Sequence, residues 1–190
     1  MNISRCKSFS LFLASVVFAF INLPSTSLAL EYSIIIKISE QKLYLMNGSE
    51  VSKTYTVSTS RYGIGSGIKS RKTPLGLHRI AEKIGEGAPL GAIFDGKRRY
   101  TGETSIIYID DTKLSENYEL TRIIWLEGME HGINKGKGID SYKRLIYIHG
   151  TAEEGLIGTP ASIGCIRMKN SDVIELFNLV NIGMLVEIIE

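Results

Sequence analysis

The fold class is indicated most clearly by residues 33–57, which read SIIIKISEQKLYLMNGSEVSKTYTV. Ile34, Ile36 and Ile38 recur at a period of two, which places their side chains on one face of a strand. Asn47-Gly48 lies between two further strand-like segments, and both residue types tolerate positive φ in a tight turn. The segment therefore predicts three strands, with the second and third joined as a hairpin.

The rest of the chain continues this pattern of short apolar segments separated by glycine-rich ones. We expect further strands near residues 77–83, 105–109, 120–126, 145–148 and 184–189, and long loops over residues 59–72 and 85–103. One helix is predicted, because Asn170-Ser171-Asp172 offers capping side chains ahead of an apolar repeat at i, i+4 and i+7. Many short strands with one or two short helices favour a mainly β domain, built as a sandwich or a barrel.

The first thirty residues differ in character from the rest of the chain. Two basic residues precede an apolar run over residues 9–23, and the small residues Ser27 and Ala29 follow it. We therefore expect residues 1–29 to be a signal peptide, residues 30–190 to be the functional domain, and the protein to be exported to the periplasm or cell wall. An uncleaved membrane anchor is the alternative, although the apolar run is shorter than the ~20 residues that a membrane span needs.

Without this leader, 161 residues remain, with twenty basic and twenty acidic side chains. That length suits one domain. A neutral balance argues against nucleic acid or an anionic membrane as the partner. The shortened chain holds one cysteine, Cys165, and an odd thiol in an exported protein is either intermolecular or reactive.

A histidine lies sixteen positions before this cysteine, at His149-Gly150, directly after the predicted strand 145–148. A cysteine nucleophile reacts as its thiolate, so it needs a neighbouring base or cation that lowers its pKa. An imidazole is the best-matched base near neutral pH. We therefore expect Cys165 to be a nucleophile with a lowered pKa and His149 to be its base.

The residues around the cysteine suit the same chemistry. Gly164 permits close approach of the backbone to a substrate, and the N–H groups of the Ser162-Ile163-Gly164-Cys165 turn are candidate oxyanion donors. Arg167 is a candidate partner for a substrate carboxylate, because its planar guanidinium pairs with two oxygens.

Each residue also has a structural interpretation. A lone cysteine is often a small buried apolar side chain, a histidine at a strand end is commonly hydrogen-bonded in place, and Arg167 is equally consistent with a solvated charge. A zinc site built from His78, His131 and His149 lacks any ligand spacing typical of zinc, so we expect no metal site.

Taken together, His149-Gly150 and the run Ile157 to Asn170 resemble the signature of L,D-transpeptidase catalytic domains, a histidine followed about fifteen residues later by Ser/Thr-His-Gly-Cys. Lys72-Thr73-Pro74-Leu75-Gly76 is similar to the family's Thr-Pro-x-Gly turn, and Gln41-Lys42-Leu43-Tyr44-Leu45 to its opening pattern. The resemblance covers most of residues 32–190.

The resemblance implies a β-sandwich or barrel-like L,D-transpeptidase catalytic domain that acts on peptidoglycan stem peptides through an acyl-thioester. Cys165 would attack the carbonyl between the L-centre of a diamino acid and the terminal D-alanine, and His149, oriented by the Gly150 carbonyl, would take the thiol proton. An amine acceptor would give a 3→3 cross-link, whereas water would give a carboxypeptidase. The resemblance implies no cofactor and implies inhibition by carbapenem-type β-lactams; we expect a monomer.

Two positions depart from the family signature. Gly150 follows His149 where some members carry a serine hydroxyl, so Gly150 could orient the ring only through its backbone carbonyl. Ile163 stands where the motif has its second histidine. That difference keeps open a third possibility, a non-catalytic wall-binding module. Two other cysteine enzymes fit less well, since papain-like enzymes place the cysteine before the histidine. Sortases separate the two residues by a much longer segment.

Overall fold

The computed structural model describes residues 32–95, 99–106 and 118–190. In chain order its strands are β1 (Tyr32–Lys37), β2 (Lys42–Asn47), β3 (Glu50–Ser58), β4 (Gly76–Ile84), β5 (Ala92–Phe94), β6 (Tyr100–Glu103), β7 (Glu119–Gly128), β8 (Tyr147–Gly150), β9 (Ile166–Met168) and β10 (Leu185–Ile189). Helix α1 spans Asn170–Leu179, and 3-10 turns lie at Ile38–Glu40 and Glu154–Leu156.

The three strands predicted from residues 33–57 are present as β1, β2 and β3. Asn47 pairs with Glu50, so the predicted turn is a two-residue loop whose first residue, Gly48, has a φ of 60°. A positive φ at this position matches the right-handed twist of the two strands. The hairpin prediction is confirmed.

The other predicted elements meet mixed outcomes. Strands β4, β7 and β10 confirm the predictions near residues 77–83, 120–126 and 184–189, and β8 begins two residues later than expected. The prediction of one long loop over residues 85–103 is wrong, because β5 and β6 form a small antiparallel pair there. Most of the predicted strand 105–109 lies outside the described residues.

The strands form one sheet in the order β4-β10-β1-β2-β3-β9-β8-β7-β5-β6, and β4 also pairs with β7. This last pairing closes eight of the described strands into a ring, with β5 and β6 extending from β7. The fold is therefore mainly β and barrel-like, with a single α-helix in the described part of the chain, as the sequence predicts. Closure leaves few exposed strand edges.

Two apolar clusters lie on opposite faces of β7 and β8. Ile124, Ile148 and Ile166 point into the main core with the buried face of α1. Trp125 and Tyr147 point the other way, into a second cluster under β5 that also contacts Cys165. Trp125 stacks on Tyr142 with ring centroids 4.1 Å apart.

The helix starts as predicted, but its capping differs from the prediction. Asn170 is the first helical residue and no side chain caps from within the segment. Instead the backbone N–H of Asn170 donates to Glu154 Oε1 at 2.6 Å, and Asn170 Nδ2 donates to the carbonyl oxygen of Thr151 at 2.7 Å. A carboxylate from the preceding 3-10 turn thus satisfies a helix N-terminus that Asn170 was expected to cap.

No helix in the described residues has the length and apolar character needed to cross a membrane.

Candidate active site

Strands β8 and β9 bring the predicted histidine and cysteine together. The two strands run parallel, and His149 pairs with Arg167 two residues after Cys165. Since Ile148 and Ile166 face the main core, His149 and Cys165 both face the opposite side of the sheet. Cys165 directly precedes β9, so the two residues are diagonal neighbours across the parallel pair β8 and β9.

His149 is fully buried, and its two ring nitrogens differ. Nδ1 lies 2.7 Å from the carbonyl oxygen of Gly150, which can only accept, so Nδ1 carries the proton. Nε2 is buried and has no hydrogen-bond partner in the described structure. Burial, followed by the charge of Arg167, lowers the pKa of His149 to about 3. The imidazole is therefore neutral, with Nε2 as an unused proton acceptor.

Cys165 is half-buried, and its thiol donates to the carbonyl oxygen of Leu145 at 3.2 Å. Burial, and then the negative charge of Glu119, raises the pKa of Cys165 to about 12. This overturns the expectation of a lowered thiol pKa. Both groups are therefore neutral at rest near pH 7.

The Ser162-Ile163-Gly164-Cys165 turn is held by its own first residue. Ser162 Oγ donates to the carbonyl oxygen of Cys165 at 2.6 Å and accepts from the N–H of Gly164 at 3.2 Å. The N–H of Ser162 donates to the carbonyl oxygen of Thr59 at 3.0 Å. The N–H groups of Ser162 and Gly164 thus already have acceptors within the fold. The N–H groups of Ile163 and Cys165 are the two candidate oxyanion donors that remain.

The two other motif-like segments of the sequence hold this turn from outside. Thr73 Oγ1 donates to the carbonyl oxygen of Gly164 at 3.0 Å. Gln41 brackets Thr59, donating from Nε2 to its hydroxyl at 2.8 Å and accepting its N–H at 2.7 Å. The Thr-Pro-x-Gly turn and the opening Gln-Lys-Leu segment therefore position the residues before the cysteine.

Gly150 has a steric reason to be glycine as well as a hydrogen-bonding role. A Cβ at this position would overlap Asn170 Oδ1 and lie 2.8 Å from the carbonyl oxygen of Leu120. A serine side chain has no room here, so the ring of His149 is oriented by the backbone carbonyl alone.

Arg167 lies elsewhere than its predicted role requires. It is 4% exposed, and its Nη1 donates to Glu153 Oε2 at 2.6 Å, forming an ion pair in which both side chains are buried. A guanidinium committed to a buried carboxylate is poorly placed to meet a substrate carboxylate. The prediction for Arg167 is therefore corrected to a structural ion pair beside His149.

Cys165 opens into a pocket of about 340 Å³ with a strongly basic lining. Ile163, 36% exposed, lies at its wall, where the family signature would place a histidine. The charged residues of the lining are Lys69, Arg71, Lys143, Arg144 and Glu119. Sequence reasoning missed all five, although the basic pairs around residues 69–72 and 143–144 were a usable signal.

Among the four cations of this lining, three are exposed and Arg144 is half-buried. Its Nη2 donates to the carbonyl oxygen of Lys72 at 2.7 Å, and its charge acts on Cys165 by favouring the thiolate. It also lines a second cavity of about 380 Å³ that continues past Lys143 to His131. Arg167 also favours the thiolate, and more strongly, so Arg144 is a second cation that acts on Cys165.

The three histidines do not converge. His78 is buried against Ser141, His149 is buried on β8, and His131 lines the second cavity. No group of three or more His, Cys, Asp or Glu side chains among the described residues is placed to hold a metal ion.

Comparison with known proteins identifies a family whose model matches this sequence. The family model of the L,D-transpeptidase catalytic domain, YkuD, matches residues 31–188. No curated protein matches the sequence significantly.

Solved structures share the fold at low sequence identity. An L,D-transpeptidase from Mycobacterium smegmatis is 15% identical with a TM-score of 0.50, over 84% of this chain and 59% of that chain. L,D-transpeptidase 3 from Mycobacterium tuberculosis, in complex with a faropenem-derived adduct, is 16% identical with a TM-score of 0.50, over 84% and 60%. LD transpeptidase LdtMt1, in complex with imipenem, is 16% identical with a TM-score of 0.51, over 83% and 58%. This chain thus spans about three-fifths of each.

Proposed function

This chain belongs to the L,D-transpeptidase catalytic domain family, and from that membership we propose that it is a cysteine transpeptidase of peptidoglycan. Cys165 takes the acyl group of a tetrapeptide stem, D-alanine leaves, and an amine of a second stem receives the acyl group. The proposal includes export, which rests on the leader-like residues 1–29, and inhibition by carbapenem-type β-lactams.

The observation that carries this proposal is the unpartnered Nε2 of His149. Buried polar atoms in folded proteins nearly always have a hydrogen-bond partner, and one without a partner needs an explanation. This acceptor lies on the same sheet face as the thiol of Cys165, on the adjacent strand. The thiol rests on the Leu145 carbonyl, and general-base catalysis requires that it turn from there to within hydrogen-bond reach of Nε2. Gly150 fixes the tautomer in which Nε2 can then accept the proton.

The reaction follows from the neutral resting state of both groups. Nε2 takes the thiol proton as sulfur attacks the stem carbonyl, and the imidazolium then gives that proton to the departing amine of D-alanine. The resulting thioester is opened by an amine acceptor in a transpeptidase, or by water in a carboxypeptidase. The lowered pKa of His149 favours rapid return of the proton, because the imidazolium is costly in a buried site.

The basic lining of the pocket supports an acidic substrate. Lys69, Arg71, Lys143 and Arg144 surround the thiol, although the 161-residue domain as a whole is neutral. Peptidoglycan stems carry several carboxylates, and a guanidinium such as Arg144 pairs with a carboxylate through two parallel hydrogen bonds. Arg144 is therefore our candidate for binding the stem carboxylate nearest the scissile bond.

The test is to incubate residues 30–190 with tetrapeptide stems and analyse the products by mass spectrometry. We expect release of D-alanine together with 3→3 cross-linked dimers, and neither product from Cys165→Ala. A carbapenem should add its mass to the native protein and not to Cys165→Ala.

Three other outcomes redirect or refute the proposal. Trimmed stems without dimers would identify a carboxypeptidase. Stem binding without turnover would favour the non-catalytic wall-binding module. D-alanine release by a Cys165→Ala variant with native thermal unfolding would remove the thiol from the mechanism.

A further inference from the structure

Glu119 is a carboxyl group in the pocket that the mechanism above does not use. It is the only acidic side chain among the described residues that line the pocket with Cys165. It begins β7, directly before Leu120, and Leu120 pairs with Gly150, the residue after the base His149. The strand register therefore holds Glu119 at the reacting end of β8.

The position of Glu119 works against the first half of the reaction. Its negative charge is the second-largest cause of the raised pKa of Cys165, after burial. Burial also raises the pKa of Glu119 itself, so the group is held in an environment that disfavours its charge. A carboxylate that opposes thiolate formation is expected to serve another step.

A cation is the group whose binding such a carboxylate favours. The four basic side chains of the lining repel an incoming ammonium, and Glu119 alone attracts one. In the proposed function, the acceptor of the acyl group is an amine, which is protonated in water and must lose a proton before it can attack.

We propose that Glu119 binds the acceptor ammonium beside the thioester and takes its first proton. This inference rests on the proposed function and deepens it, because it makes Glu119 the residue that selects an amine acceptor over water. A carboxylate within the pocket supplies both the charge that holds the ammonium and the base that converts it to a nucleophile.

The acceptor nitrogen loses two protons during the transfer. The acceptor ammonium gives one proton to the Glu119 carboxylate, and the free amine attacks the thioester carbonyl carbon, forming the new C–N bond. The nitrogen then gives a second proton to Nε2 of His149, and the C–S bond breaks with its electron pair on sulfur. His149 returns its proton to sulfur, which regenerates the thiol, and the protonated Glu119 releases its proton to solvent.

The test compares Glu119→Gln with the native protein in the presence of donor and acceptor stems. A carboxamide cannot take the proton, so we expect the ratio of cross-linked to hydrolysed product to fall at least about tenfold. Carbapenem acylation should become faster, because removing the charge of Glu119 lowers the pKa of Cys165. Glu119→Asp should restore part of the ratio.

Glu50→Gln is the matched control, since Glu50 is an exposed glutamate at the β2–β3 turn and its replacement removes the same charge. An unchanged product ratio in Glu119→Gln overturns the inference, as does a native protein that releases D-alanine but never transfers the acyl group from Cys165 to an amine acceptor. In the first case cross-linking by way of Cys165 leaves the proposed function standing, whereas the second case identifies a carboxypeptidase instead of a transpeptidase. Absence of D-alanine release from the native protein would instead refute the proposed function.

Discussion

Two histidines in this protein share the same burial and the same kind of Nδ1 hydrogen bond, but they differ in the partner of Nε2. His78 on β4 and His149 on β8 are both fully buried. Nδ1 of His78 lies 2.9 Å from the carbonyl oxygen of Gly76, and Nδ1 of His149 lies 2.7 Å from that of Gly150. Each histidine therefore carries its proton on Nδ1. Nε2 of His78 lies 2.9 Å from Ser141 Oγ, whereas Nε2 of His149 has no partner in the described structure.

The difference separates a structural histidine from a candidate catalytic one. Burial lowers the pKa of both, to about 4 for His78 and about 3 for His149, so a perturbed pKa does not distinguish them. Only the hydrogen-bond partner of Nε2 distinguishes the two histidines. A satisfied acceptor stabilises the fold, whereas an unsatisfied acceptor on the thiol's face of the sheet is available for a proton.

The largest expected effect is on acylation. Replacing the base by His149→Gln should slow carbapenem adduct formation by about 10²–10⁴-fold, whereas His78→Gln should change it by no more than a few-fold. Time-resolved mass spectrometry measures both rates. Equal slowing in the two variants would mean that His149 acts only by supporting the fold.

The second prediction concerns stability, to which we expect His78 to contribute more than His149. His78→Ala leaves the hydroxyl of Ser141 buried without a partner and opens a cavity, so we expect a loss of about 3 kcal/mol or more in the free energy of unfolding. His149→Ala opens a comparable cavity but leaves no buried hydroxyl unpaired, so it should cost about 1–3 kcal/mol less than His78→Ala. Urea unfolding at pH 7 compares them, and a larger cost at His149 would contradict this assignment.

The smallest expected effect is the loss of folding stability at acidic pH. A histidine whose folded pKa is depressed contributes stability fully above its unfolded pKa near 6.5 and loses it as pH falls towards the folded value. Each buried histidine should therefore account for about 2 kcal/mol of the stability lost between pH 7 and pH 5. Unfolding curves of His78→Gln and His149→Gln at both pH values test this. A variant that loses as much stability as the native protein would show that its histidine is not buried neutral.

The fold was predictable where the signal is local. The Asn47-Gly48 turn and the alternation of Ile34 and Ile36 specify strands and a hairpin through backbone φ preferences and side-chain period. The β5–β6 pair was missed, because its strands are short and lie within the glycine-rich segment 85–103, which has little periodicity. The capping of α1 by Glu154 was missed as well, since that contact joins residues sixteen positions apart.

Some residues of the candidate site were likewise predictable from the sequence, and others were not. The spacing of His149 and Cys165 identified the two residues, and the structure places them on one face of adjacent parallel strands. Arg167 was assigned to substrate because sequence shows a charge without its neighbours, and the fold places Glu153 against it. Glu119 and Arg144 carry no motif, and the pocket alone brings them to the thiol.

Residue types and their spacing were enough to determine a mainly β domain, its first hairpin and a candidate catalytic pair of side chains, because turns, periodicity and acid–base character are properties of short segments. The tertiary structure alone decided which charges surround the thiol, which histidine keeps an unsatisfied nitrogen and whether the cysteine rests ionised. Those outcomes depend on burial and on distances between strands far apart in the chain, and electrostatic energies follow distance and solvent exposure rather than position in sequence.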